Sequence, residues 1–328
     1  MPRRAVEAAR DELDRQAEEG RHEPNFVRRA GLRWQLAQEY AALLACPPEE
    51  VSLTTCTTEG MATIIAGFGR GDRIVTSDEE HPGVYGPLAQ ARRRGAEVRV
   101  APFARLHEAV GPDTTAVVCC HVSWVSGRLA PPELAKLDVP VIYDGAQAVG
   151  AIPVDVKELH CAAYAGSGQK WLCGPDGSGM LYVAPSHRER VPSIVTSYWN
   201  LAEPDAGLDS ELWPHGRAWD SAGLSGETTR YALESLAVLA GAGWDAVHER
   251  GPALAARLVE LLEAAGRTVW PRAATTLVAW EDEDPAAAKG RALDAGVVIR
   301  SIPNRPLLRA SVGAWNDESD LERLLAAA

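Results

Sequence analysis

Along the first 45 residues, apolar positions recur at helical spacing: Ala5, Ala8 and Leu13, then Leu32, Leu36, Tyr40 and Leu43. That period predicts helix, and Pro47-Pro48 ends it. The pattern then changes to short apolar runs separated by amphipathic stretches. Strands are predicted at Val51–Thr54, Arg73–Thr76, Val98–Ala101, Ala116–His121, Pro140–Tyr143, Ala162–Ala165 and Gly179–Val183. Helices fall between several of them, as at Glu59–Phe68 and Gly86–Arg94. Ala116-Val117-Val118 and Val141-Ile142-Tyr143 are apolar without interruption, as strands buried on both faces must be. The alternation predicts an α/β fold, a mostly parallel sheet with helices on both faces.

After Pro185 the pattern breaks. Tyr198–Gly226 is rich in Trp, Pro, Gly and Asp and reads as irregular. Helices are predicted at Thr229–Ala242 and Gly251–Gly266. The tail alternates again through Thr275–Trp280, helix Pro285–Ala295, Val297–Arg300, Leu308–Val312 and helix Glu318–Ala327. This predicts a compact α+β unit, with Asn316-Asp317 capping its last helix.

The chain of 328 residues has length for about two domains. Its net charge of −12 argues against nucleic acid or an anionic membrane as partner. Residues 1–20 are polar and lack a signal-peptide core, and no apolar run is long enough to span a bilayer. A cytoplasmic location is expected. The six cysteines show no CxxC spacing and read as reduced core thiols. Cys119-Cys120-His121 lie on a predicted strand, where neighbours face opposite ways, so no metal site is expected.

In an open parallel sheet, ligands bind beyond the carboxyl ends of the strands. After the first strand come Thr57-Thr58-Glu59-Gly60 at a helix start, where hydroxyls and free N–H groups suit a phosphate, though an ordinary threonine cap is equally good. After the second come Glu79-Glu80-His81-Pro82-Gly83. Asp144-Gly145-Ala146-Gln147 closes an apolar strand, and a carboxylate there needs either a cationic partner or a capping role. Ser167-Gly168-Gln169-Lys170-Trp171 follows another. Lysines are scarce: Lys170 is one of four, the others being Lys136, Lys157 and Lys289. Lysine, unlike arginine, can lose its proton and become a nucleophile.

Together these four motifs, in this order, resemble the class V aminotransferase family of pyridoxal phosphate (PLP) enzymes. That family includes cysteine desulfurases, isopenicillin N epimerase-like proteins and carbon–sulfur lyases. The resemblance covers most of the chain and implies PLP fold type I: a mostly parallel seven-stranded sheet flanked by helices and a smaller C-terminal α+β domain. It implies an N-terminal helical segment, 1–45, packing with the small domain, a large PLP-binding domain, 46–235, and a small domain, 236–328. It also implies a homodimer, with Thr228 or Thr229 near the other subunit's phosphate. Family members begin with a loop ahead of this chain's Pro2, so Met1 reads as an internal start or a truncation.

The resemblance assigns roles. Lys170 would bind the cofactor covalently and, displaced by the substrate amine into an external aldimine, act as base at Cα. Asp144 would pair with the ring nitrogen, Gln147 with the phenolic oxygen, and His81 would stack on the ring. Thr57, Thr58, Ser167 and Gln169 would hold the phosphate. Arg309, in Leu307-Leu308-Arg309-Ala310-Ser311, would grip the substrate carboxylate.

Departures from the family pattern bear on the reaction. Desulfurases carry histidine where this chain has Gln169, and a cysteine on a small-domain loop; here Arg300–Pro306 has none, nor does anything after Cys173. Trp124 stands where many members have asparagine. The expected substrate is a small, sulfur-containing amino acid, and β-elimination at a C–S bond is ranked first. Epimerisation, transamination, desulfuration or a non-catalytic regulator on the same fold are the alternatives.

Overall fold

The structure is a computed structural model that describes residues 1–327. Two helices open the chain, α1 (Arg3–Glu19) and α2 (Glu23–Leu44). The large sheet follows: β1 (Val51–Thr54), β2 (Arg73–Ser77), β3 (Glu97–Ala101), β4 (Ala116–Cys120), β5 (Val141–Asp144), β6 (Ala163–Ser167) and β7 (Gly179–Val183). Between its strands run α3 (Thr57–Ile65) and α4 (Pro82–Arg93). The C-terminal part contains α5 (Gly226–Ala242), α6 (Trp244–Ala264), β8 (Leu277–Glu281), α7 (Pro285–Asp294), β9 (Arg300–Ser301), β10 (Leu307–Ser311) and α8 (Glu318–Ala327).

The seven strands lie in the order β1-β7-β6-β5-β4-β2-β3. All of the pairings through β6, β5, β4, β2 and β3 are parallel, while β7 runs against both neighbours, β1 and β6. Successive residues of a strand face opposite ways, and the central strands accordingly feed two cores. Val117, Cys119, Val141 and Tyr143 join Leu36, Tyr40 and Leu236 on one face. Ala116, Val118, Ile142 and Ala163 join Met61, Ile64 and Leu88 on the other. This is why β4 and β5 show no alternation in sequence.

The second sheet has the order β8-β10-β9, antiparallel throughout. It shares a third core with α6, α7 and α8, centred on Leu258, Trp280 and Leu308. Trp124 and Val125 of the large unit meet Ile302 and Leu307 of the small one. The expected partition at 235 falls inside α5. Helices α1 and α2 pack chiefly on α5, and α2 also meets β1. Among the described residues, no helix is long and apolar enough to cross a membrane.

Some boundaries differ from expectation. Helix α3 starts at Thr57, two residues earlier than the apolar period suggested, because Cys56 takes the extended N-cap conformation. Helix α4 starts at Pro82, where a proline at the first helical position needs no N–H partner. Helix α6 reaches back to Trp244 and carries Pro252 inside it.

Candidate active site

The site is assembled where β1, β5 and β6 end. Gly60 lets α3 come down on β6: a Cβ there would lie 2.9 Å from that of Ala165. This brings the start of α3 against the end of β6. The Thr57 and Ser167 hydroxyls lie 2.8 Å apart, and Thr57 N–H donates to Ser167 Oγ at 3.3 Å. Thr58 Oγ1 sits against Gly83, where any Cβ would be only 2.3 Å from it. Hydroxyls and helix N–H groups thus converge from α3 and β6, a donor set suited to a phosphate.

His81 is the N-cap of α4, and its Nδ1 accepts from Gly83 N–H at 3.0 Å. The proton is therefore left on Nε2. Its ring meets Trp124 edge-on, with centroids 5.1 Å apart. Burial, and then the cations Lys170, Arg300 and Arg309, push the imidazole down to about 4. It is neutral at physiological pH.

Asp144 closes β5, 6% exposed, and accepts from Ala146 N–H at 2.8 Å. Burial raises its carboxyl and the charge of Lys170 opposes that rise. Lys170 follows the end of β6 and is half-buried. Burial lowers its amine, Asp144 resists, and Arg309 and Arg300 add to the lowering. The two residues feel each other's charge yet form no ion pair among the described residues. Gln147 Oε1 accepts from Trp171 Nε1–H at 3.0 Å, which turns the amide NH2 away from that indole.

A cavity of about 300 Å³ joins the two sheets. The large unit supplies His81, Trp124, Gln147, Lys170 and Trp171; the small unit supplies Arg300, Arg309, Ser311 and Trp315. Arg309 is 8% exposed; Nη1–H donates to the Trp124 carbonyl, Nη2–H donates to Ser311 Oγ at 3.4 Å, and Nε–H has no acceptor. Burial, with Arg300 adding to it, lowers this guanidinium to about 10, so it stays cationic. Arg300 has neither an ion pair nor a side-chain hydrogen bond among the described residues.

The sequence-predicted residues thus separate into groups. His81, Gln147, Lys170 and Arg309 share the cavity, and Asp144 lies within electrostatic reach of Lys170. Thr57 and Ser167 form the hydroxyl pair beside it. Gln169 does not line the cavity; its Oε1 is buried without a donor. Thr228 and Thr229 spend their hydroxyls in the first turn of α5, on Ser225 Oγ–H and the Ser225 carbonyl. Arg300, Ser311 and Trp315 were not foreseen as site residues, nor was Trp171. Only Trp171 had a signal, since it adjoins Lys170.

The family model for aminotransferase class-V matches residues 1–276. The chain belongs to that family. Its members are PLP enzymes, and this chain is one of them. Isopenicillin N epimerase of Streptomyces clavuligerus is 26% identical over 89% of this chain and 83% of its own length. The same enzyme of Amycolatopsis lactamdurans is 29% identical over 90% and 84%. A cysteine desulfurase of Salmonella newport is 36% identical over 44% of this chain and 40% of its own. Among solved structures, the cystine C–S lyase C-DES with its reaction product cysteine persulfide superposes at TM-score 0.90, 23% identity, covering 99% of this chain and 93% of that one. Apo cysteine desulfurase from Thermococcus onnurineus NA1 does so at 0.86 and 21%, covering 99% and 90%. These structural likenesses establish the fold.

The residues present fit PLP. Lys170 and Asp144 are held apart, with a cavity beside them instead of a contact between them. The Thr57–Ser167 cradle would take the phosphate, Lys170 the aldehyde, Asp144 the ring nitrogen and Gln147 the phenolic oxygen.

Proposed function

We propose that this chain is a PLP-dependent lyase that cleaves a C–S bond of a small amino acid by β-elimination. One observation favours elimination over two-base epimerisation: Lys170 is the sole amine among the cavity side chains, and His81, lowered to about 4, is a weak base at neutral pH. Epimerisation by two bases needs a second proton carrier on the opposite face, and the cavity offers no other. The epimerase relatives, matched over most of the chain, favour epimerisation as the second reading.

Bound PLP supplies an electron sink for the pair left at Cα. Arg309 binds the substrate carboxylate through its free Nε–H. Lys170 takes the proton from Cα, and the sulfur leaves with the electrons of the Cβ–S bond. Asp144 holds the proton on the ring nitrogen. Trp124, Trp171 and Trp315 wall the leaving group from water, and Arg300 offers a second cation to a substituent that carries its own carboxylate. No cysteine follows Cys173, so a persulfide on the small-domain loop has no thiol in this chain. Cys173 itself is pushed up by burial and lies outside the cavity lining. A homodimer, with Thr228 or Thr229 near the other subunit's site, belongs to the same proposal.

The test is product analysis of holo-protein given cystine and other cysteine conjugates. Pyruvate, ammonia and a sulfur product in equal amounts are expected. A D-amino acid, or a keto acid that retains the sulfur substituent, would overturn the proposal.

A further inference from the structure

A separate cavity, of about 120 Å³, lies between α2, β1 and the segment that precedes α5. Arg33 of α2 and Arg217 line it, with Trp199, Leu53 and Asp220. Arg33 is 4% exposed. Its Nη2–H groups donate to Asp220 Oδ2 at 3.1 Å and to the Ser221 carbonyl at 3.0 Å, while Nε–H and Nη1–H are buried with no acceptor in the protein. The guanidinium lies over the Trp199 ring at 4.6 Å, which fixes its plane. Asp220 reaches only the Nη2 side of this guanidinium, and its Oδ1 accepts from Leu53 N–H at 2.8 Å.

The charges do not balance. Arg217 has no ion pair among the described residues; its guanidinium lies over the Trp213 ring at 4.5 Å, and Asp220 acts on it through space. Two guanidiniums therefore face one carboxylate. The surroundings are rigid. Asn200, fully buried, donates through Nδ2 to the carbonyls of Arg217, Ala218 and Asp220 at 3.1, 3.3 and 2.9 Å. A buried charged donor left unpaired costs more than a neutral one, and the space matches about four waters at roughly 30 Å³ each.

We propose that this cavity is a binding site for one small monovalent anion, the size of a halide or a formate, held by Arg33 Nη1–H and drawn by the charge of Arg217, which lines the same cavity. It is separate from the lyase chemistry and does not depend on it. A ligand that binds only the folded state raises its stability with concentration. The holoenzyme is therefore melted in sodium bromide, sodium formate and sodium gluconate at matched ionic strength; gluconate is too large to enter. Tm should rise with bromide or formate and level off, and Arg217→Leu should abolish the rise. Arg33→Leu removes a buried ion pair and could prevent folding, so Arg217→Leu is the deciding variant. Crystals of holoenzyme grown in bromide should show an anomalous peak within hydrogen-bonding distance of Arg33 Nη1. Equal Tm in all three salts, an unchanged rise in Arg217→Leu, or water or a second copy's carboxylate on Arg33 Nη1–H would overturn the proposal.

Discussion

Asp144 and Asp220 are equally buried, each 6% exposed, and burial raises both carboxyls. Their partners differ. Asp220 is met in full contact, by Arg33 at 3.1 Å and Leu53 N–H at 2.8 Å. Asp144 receives one N–H, from Ala146, and its cation Lys170 acts only through space. A contact pair fastens two segments; here it ties α2 to the chain ahead of α5. A separated pair fastens nothing, but it leaves both groups free for a third. Burial alone therefore does not mark a functional carboxylate; burial without a contacting cation is what the role proposed for Asp144 requires.

Lys170→Ala tests the separated pair most severely. Turnover should fall by about 10³-fold or more, with loss of the holo-protein's visible absorption band, at little cost in stability. Asp144→Asn should come next: about a 10²-fold loss of turnover, with unfolding free energy changed by about 1 kcal/mol or less because Ala146 N–H keeps its acceptor. Asp220→Asn should reverse that outcome. It leaves Arg33 uncompensated and should cost about 3 kcal/mol in denaturant unfolding, with turnover per folded molecule unchanged. If the two asparagine variants behaved alike, the comparison would fail.

A third carboxylate gives the smallest and most specific effect. Glu80 accepts from Cys120 N–H at 3.0 Å and from the Ser77 hydroxyl, and its Oε2 has no partner. Burial raises it to about 8 from 4.5. The folded chain therefore keeps a proton that the unfolded chain loses above 4.5. Its contribution to stability is complete below 4.5 and is lost as pH rises to about 8. Glu80→Gln, which keeps the neutral shape, should flatten that decline in urea unfolding between those limits.

The fold was legible where two-sided burial left uninterrupted apolar runs, as in β4 and β5. The direction of β7 was not, because strand polarity depends on how the chain returns and not on its residues. The cofactor edge was legible because its groups follow strand ends directly: Thr57, His81, Asp144, Lys170. The opposite wall was not. Arg300 sits on a strand of two residues, too short for a period, and Trp315 in a loop whose neighbour, Trp171, lies far back in the chain. Gln169, placed by motif, lies outside the cavity lining, as do Thr57, Asp144 and Ser167.

The proposed base, Lys170, follows the large sheet and the proposed carboxylate grip, Arg309, stands on the small one; the bonds that join the two units include Arg309 to the Trp124 carbonyl, Thr275 Oγ1–H to the Gly127 carbonyl at 2.7 Å, Arg128 Nε–H to the Pro271 carbonyl at 3.0 Å and Arg305 Nη2–H to the Asp78 carbonyl at 2.9 Å. The reach between Lys170 and Arg309 is therefore a property of that seam. Substitutions at Thr275 or Arg128, neither of which lines the cavity, are expected to shift selectivity for substrate length.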